Sequence, residues 1–183
     1  MSWDTIFGMV PLVMQDGGFV GGHAAEGDEE GMWDTSQEFG EGDGLRVNVD
    51  ALSGAPLCLY VCLQDPASRR ATGYRLTCSE STFALARMLD GADTPLVSAS
   101  SSNARGGVGL IANRGRVDAW LDGTHVCGVA DSTYTRGFFG VGSVGQQWGS
   151  QVAGVTVRGG KTVNITMPPG PKTVGVTLHS STS

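Results

Sequence analysis

Hydrophobic and polar residues alternate with a period of two along most of the chain, and no long stretch repeats apolar positions at helical spacing. The pattern is clearest between Gly106 and Val141. Val108, Leu110 and Ala112 alternate and run into Asn113-Arg114-Gly115, a short loop whose glycine supplies the positive φ that hairpin turns need. Val117, Ala119 and Leu121 share one face of the next strand, and Arg116, Asp118 and Trp120 take the other. Asp122-Gly123, a strong two-residue hairpin signal, leads into a strand over residues 124–129. The polar link Ala130-Asp131-Ser132-Thr133 closes that strand, and Gly137-Phe138-Phe139-Gly140-Val141 opens another.

The same reading extends in both directions. Residues 6–14 are apolar but interrupted by Pro11, which fits a first strand or a segment lying against a partner. Residues 17–44 form a glycine-rich, acidic loop, with an edge strand expected near 32–35. A strand is predicted over 45–50, with Leu45, Val47 and Val49 inward. After Pro56, alternation places Leu57, Leu59, Val61 and Leu63 on the most hydrophobic face in the chain, and puts Cys58 and Cys62 together on one side. Residues 73–78 and 82–89 read as a hairpin pair, 90–94 as a turn, 96–99 as a short strand, 98–105 as a polar loop, and 152–157 as the last strand of a sandwich.

One internal repeat follows. Lys161-Thr-Val-Asn-Ile-Thr-Met167 and Lys172-Thr-Val-Gly-Val-Thr-Leu178 match, separated by Pro168-Pro169-Gly170-Pro171. They predict a C-terminal β-hairpin with Val163, Ile165, Met167, Val174, Val176 and Leu178 on one apolar face. A lone hairpin is marginal in water. That face therefore covers an end of the sandwich or serves assembly by pairing with another subunit. The domain division expected is a jelly-roll sandwich over 1–160, with its acidic loop at 17–44, and a hairpin tail over 161–183.

Composition sharpens this picture. The 183 residues suffice for one sizeable sandwich, and 29 glycines suit short strands joined by many turns. Hydrophobic residues at 40% argue against disorder. No apolar run is long enough to span a membrane as a helix, and Met1-Ser2-Trp3-Asp4 lacks the basic start of a signal peptide, so synthesis in a cytoplasm is expected. Residues 1–45 hold ten acids and no Lys or Arg, and the remainder holds eight acids and twelve bases. The acidic segment reads as a solvated loop or as a surface that docks on a neighbouring copy. No cluster of bases marks a nucleic-acid surface.

Chemistry is sparse. The four cysteines form no CxxC pair and the three histidines are far apart, so reduced, buried thiols are expected and neither a metal site nor a cofactor. Glu26-Gly27-Asp28-Glu29-Glu30 spells E-x-D-x-E, which resembles the catalytic strand of laminarinase-type glycoside hydrolases. The glycines around it, and Gly27 and Glu29 where apolar residues should stand between the acids, do not suit such a strand, and no catalytic residue is assigned. A binding role suits Tyr60, Arg75, Asp118 and Trp120, which alternation places opposite the main apolar faces. Aromatic plates beside charged groups cover the C–H faces of sugars and bond their hydroxyls. Trp120 also fits a core or inter-subunit position.

The passage from Leu110 to Gly123, continuing through His125-Val126, Asp131-Ser132-Thr133 and Arg136 to Val141, resembles the central hairpin of the laminin-G/concanavalin A-like jelly rolls. The resemblance implies an all-β fold of two antiparallel sheets. With ten Arg against two Lys, the chain is also similar to jelly-roll domains in minor tail proteins of phages that infect actinobacteria. That likeness implies a non-enzymatic virion protein that contacts other copies of itself, other virion proteins and a host-surface glycan. A capsid decoration protein and a stand-alone lectin or glycoside hydrolase are the alternatives.

Overall fold

The computed structural model describes residues 3–6, 8–11, 13–15, 18–20, 28–36, 38, 44–49, 56–64, 70–79, 81–100, 106–144, 155–157, 161–166 and 175–179. Among them are sixteen strands and no helix. They are β1 (Trp3–Thr5), β2 (Val13–Gln15), β3 (Gly18–Val20), β4 (Glu29–Asp34), β5 (Gly44–Val49), β6 (Leu57–Leu63), β7 (Gly73–Cys78) and β8 (Thr82–Leu89). There follow β9 (Ala92–Ser100), β10 (Gly106–Asn113), β11 (Arg116–Leu121), β12 (Thr124–Ala130), β13 (Phe138–Val144), β14 (Val155–Val157), β15 (Lys161–Thr166) and β16 (Gly175–His179). A seven-stranded sheet runs β1-β4-β13-β6-β7-β8-β9, and a nine-stranded sheet runs β12-β11-β10-β5-β16-β14-β15-β3-β2. Pairing is antiparallel throughout, except that β14 meets β16, and β15 meets β3, in parallel. This is an all-β, two-sheet jelly roll.

The core between the sheets follows the period-two pattern. Leu57, Leu59 and Val61 of β6, Tyr74 and Leu76 of β7, and Phe83 and Leu85 of β8 pack with Val108, Leu110 and Ala112 of β10 and Val117 and Ala119 of β11. The Asp122-Gly123 turn forms as expected, with φ of 48° and 77°, and the Asp122 side chain accepts the Gly107 N–H at 2.6 Å.

A second apolar cluster covers the outer face of the seven-stranded sheet. Ile6, with Met9 against it, lies over Trp33, Tyr60, Leu63 and Met88. Gly31 and Gly140 make room for this cover, since a Cβ on Gly31 would meet Met9 Sδ at 2.6 Å and one on Gly140 would meet Ile6 Cδ1 at 2.9 Å.

Several sequence expectations are corrected. Leu63 leaves the face of Leu57, Leu59 and Val61 for the outer cluster, because Cys62 has φ of 54° and breaks the alternation. For the same reason Cys58 and Cys62 lie in different clusters, and all four cysteines are free and buried. The acidic passage contains β4, which is not an edge strand: it lies between β1 and β13 and is buried along most of its length. The turn placed at 90–94 is only Asp90-Gly91, with φ of 54° and 79°, and β9 runs on from Ala92 for nine residues.

The C-terminal repeat does not form a hairpin. Its two copies flank β14, so β15 pairs with β14 and β3 while β16 pairs with β14 and β5. Four open strand edges inside a growing sheet offered more ladder hydrogen bonds than an isolated pair could make. Val163 and Ile165 lie on β15 and Val176 and Leu178 on β16, whereas Met167 and Val174 fall outside the described residues.

Candidate functional site

The outer face of the seven-stranded sheet carries a largely but not fully buried cation, Arg75. Arg75 is opposite Tyr60 of β6 and Ala86 of β8, and alternation turns it away from Tyr74 and Leu76, which enter the core. Its side chain is 13% exposed, and its two terminal nitrogens donate to Glu29 Oε1 and Asp93 Oδ2, each on a side chain 32% exposed. Arg75 Nε is buried with no hydrogen-bond partner among the described residues. Burial pulls the guanidinium pKa down, but neighbouring negative groups outweigh it and hold it above the ordinary value. Cys58 and Tyr60 contribute only as anions, and burial pushes both thiol and phenol up, Cys58 to about 11. At neutral pH the counter-charges are therefore Glu29 and Asp93.

A one-residue bulge brings Asp93 to this site. Leu85 pairs with Val97, yet Ala86 pairs with Pro95, so Leu96 is the extra residue on β9. The bulge puts Pro95 and Asp93 on the outer face, although Val97 and Ala99 pack against the core. Arg75 reaches Asp93 across Ala86, whose methyl is short enough to let the guanidinium pass. Ala84 and Ala86 form a low floor that opens into a groove of about 330 Å³, lined further by Thr77, Asp93, Pro95, Leu96 and Ser98.

Arg75 is thus where alternation placed it, but Tyr60 is not available to a ligand. It is fully buried under the Ile6 cover, and its hydroxyl has no hydrogen-bond partner among the described residues. The neighbouring Cys58 thiol is at most a weak one. Glu29 and Asp93 were missed. Glu29 lay in a passage read as loop, and Asp93 in a turn read too long; the Asp90-Gly91 dipeptide is the signal that would have placed β9. Of the E-x-D-x-E run, Glu26 falls outside the described residues and Asp28 is exposed, while Glu29 and Glu30 take opposite faces of β4, Glu30 being 3% exposed.

Asp118 and Trp120 lie on the other sheet and form a separate cluster. Asp118 Oδ1 accepts from Arg116 at 3.1 Å and meets His125 Nε2 at 2.9 Å. A carboxylate can only accept, so this contact sets the proton on Nε2 and leaves Nδ1 as the acceptor in neutral His125. The His125 ring stands edge-on to Trp120, with centroids 5.0 Å apart. Gly128 opposite Asp118 makes this possible, because a Cβ there would fall 1.8 Å from Asp118 Oδ1. Plain alternation would put His125 on the inward face with Cys127, and a bulge at Val126 turns it out beside Trp120. The four residues expected to bind a ligand are therefore split between two sheets. No group of three or more acidic, His or Cys side chains suited to a metal occurs among the described residues.

No protein-family model matches the chain, and no curated protein matches it in sequence. Solved structures do resemble it in shape. A carbohydrate binding module from Bacillus subtilis, CBM66, superposes with a TM-score of 0.62 over 97% of this chain and 95% of its own, at 15% identity. A Bacillus subtilis protein of unknown function with a galectin-like fold gives 0.56 over 79% and 84%, at 16% identity. A legume lectin-like domain from Entamoeba histolytica gives 0.50 over 79% and 84%, at 11% identity. At these identities the likeness is one of fold, and the fold is the concanavalin A-like jelly roll.

Proposed function

We propose that this protein is a non-catalytic carbohydrate-binding jelly roll that holds its ligand in the groove over Ala84 and Ala86, beside Arg75 and Asp93. The observation that carries this reading is the Arg75 assembly: a charged hydrogen-bonding array fixed at one wall of an open groove floored by the small apolar side chains of Ala84 and Ala86. Such a floor receives the C–H face of a sugar ring while oriented polar groups at its side bond the hydroxyls. A carbohydrate binding module and a legume lectin-like domain among the similar folds support the choice of ligand class. The absence of catalysis is part of the proposal. Arg75 fills the space between Glu29 and Asp93, where a scissile bond would have to lie.

The finer reading is an adhesive component of a phage tail that works in several copies. It rests on the resemblance of the central hairpin to tail-protein jelly rolls and on the strong preference for Arg over Lys. Antiserum raised against the chain should then label purified particles at the tail, and labelling confined to the capsid would favour a decoration protein.

The groove is tested by filling it. Ala84→Trp places a large ring on the floor without entering either apolar cluster. Gel retardation on a panel of immobilised polysaccharides should show binding by the parent chain and none by the variant, with unchanged melting temperature. Undiminished binding by Ala84→Trp would move the site elsewhere, and the Trp120 and His125 surface would be the next to mutate.

A further inference from the structure

We infer that the Arg75 site selects uncharged sugars and rejects acidic ones such as uronates, and that Glu29 and Asp93 impose this choice. The inference rests on the glycan-binding reading of the groove. An exposed arginine on a binding face ordinarily recruits carboxylates, but both terminal nitrogens of Arg75 are already held by carboxylates of this chain. Its remaining nitrogen is buried. The fixed charge of the trio is one positive against two negative, and no second Lys or Arg lines the groove.

An acidic sugar entering here could take only the second N–H of a terminal nitrogen that already holds Asp93 or Glu29, and would lie against that carboxylate. Like charges at that separation repel, and the partly buried setting weakens solvent screening. A neutral sugar meets no such barrier. Its hydroxyls donate to Asp93 Oδ1, the oxygen that the Arg75 contact leaves open at the groove wall, and to the hydroxyls of Thr77 and Ser98. Arg75, tied to Glu29 on its other side, thus acts as a brace that sets Asp93 as an acceptor rather than as the ligand's counter-ion.

The test is a charge reversal read on two ligand classes. Calorimetry compares a neutral glucan, galactan and mannan with polygalacturonate, at low and at physiological salt. The parent chain should bind a neutral polymer at least about tenfold more tightly than the uronate, with little dependence on salt. Glu29→Gln combined with Asp93→Asn changes the fixed charge from one negative to one positive. This variant should lose neutral binding by about tenfold or more and gain salt-sensitive binding of polygalacturonate. Should the double variant fail to fold, Asp93→Asn alone should narrow the preference, since it leaves the trio neutral. A parent chain that prefers the uronate, or a folded variant that gains none, would overturn the inference while leaving glycan binding intact. A parent chain that binds no polymer of either class would instead defeat the underlying reading.

Discussion

At the scale of single residues, two buried hydroxyl-bearing rings behave in opposite ways. Tyr60 gave up hydration of its hydroxyl and received no proper hydrogen bond in return. Tyr60→Phe is therefore expected to leave stability unchanged or raise it by up to about 1 kcal/mol in urea titration. A clear loss would show that the hydroxyl is bonded. Tyr74 is fully used. Its hydroxyl donates to Asp131 Oδ1 at 2.7 Å and accepts the Tyr134 N–H at 3.2 Å, while Arg87 reaches Asp131 Oδ2 at 2.8 Å. Burial acts to raise the Asp131 pKa, but the Thr133 and Tyr74 hydrogen bonds and the Arg87 charge outweigh it and the net shift is downward. A carboxylate whose folded pKa lies below its unfolded one stabilises fully above about pH 4 and loses this as pH falls through the folded value. Asp131→Asn should accordingly cost about 1–2 kcal/mol at neutral pH and flatten the fall of melting temperature on acidification.

At the scale of elements, three local breaks in alternation decide where the chemistry sits. At Cys62 the kink of β6 is gripped by two other segments of the chain, at Gly73 and Gly137. A Cβ on Gly73 would lie 2.8 Å from Cys62 O, and one on Gly137 would lie 2.5 Å from Leu63 O. The Gln64 amide donates to Cys62 O and to Arg136 O, both at 2.8 Å, tying the strand to its neighbour. Gly137 has φ of 147°, so Gly137→Ala suffers both the clash and an unfavourable backbone region. A loss of about 2 kcal/mol or more in denaturant titration is expected. The fold class, the core of β10 and β11, and the outward course of Arg75 were legible because alternation is a property of one strand. Leu63, Asp93 and His125 were not, because each depends on an extra or kinked residue that only the partner strand defines. The end of the Asp90-Gly91 turn is different: the turn was legible, and the polar residues beyond it made it read too long.

At the scale of the whole molecule, the repeat at the C-terminus belongs to the sheet rather than hanging from it. β16 supplies the neighbour of β5, and β5 in turn supports β10. Deleting residues 161–183 would bare the edge of β5 in mid-sheet, so the truncated chain is expected to be recovered unfolded or aggregated. A soluble truncation with intact strand signal in circular dichroism would show that the rest of the sheet closes without it. In the other sheet, β9 is the long outermost strand and, among the described residues, pairs only with β8. Pro95 removes one donor from that border, and the bulge at Leu96 turns Asp93 across the sheet toward Arg75. An irregular rim with an inward-aimed charge makes a poor template for an incoming strand. The carboxylate proposed to meet the ligand thus also makes this rim a poor partner for a second copy, and neutralising Asp93 should shorten shelf life at high concentration, read as light scattering over time, before it lowers the melting temperature.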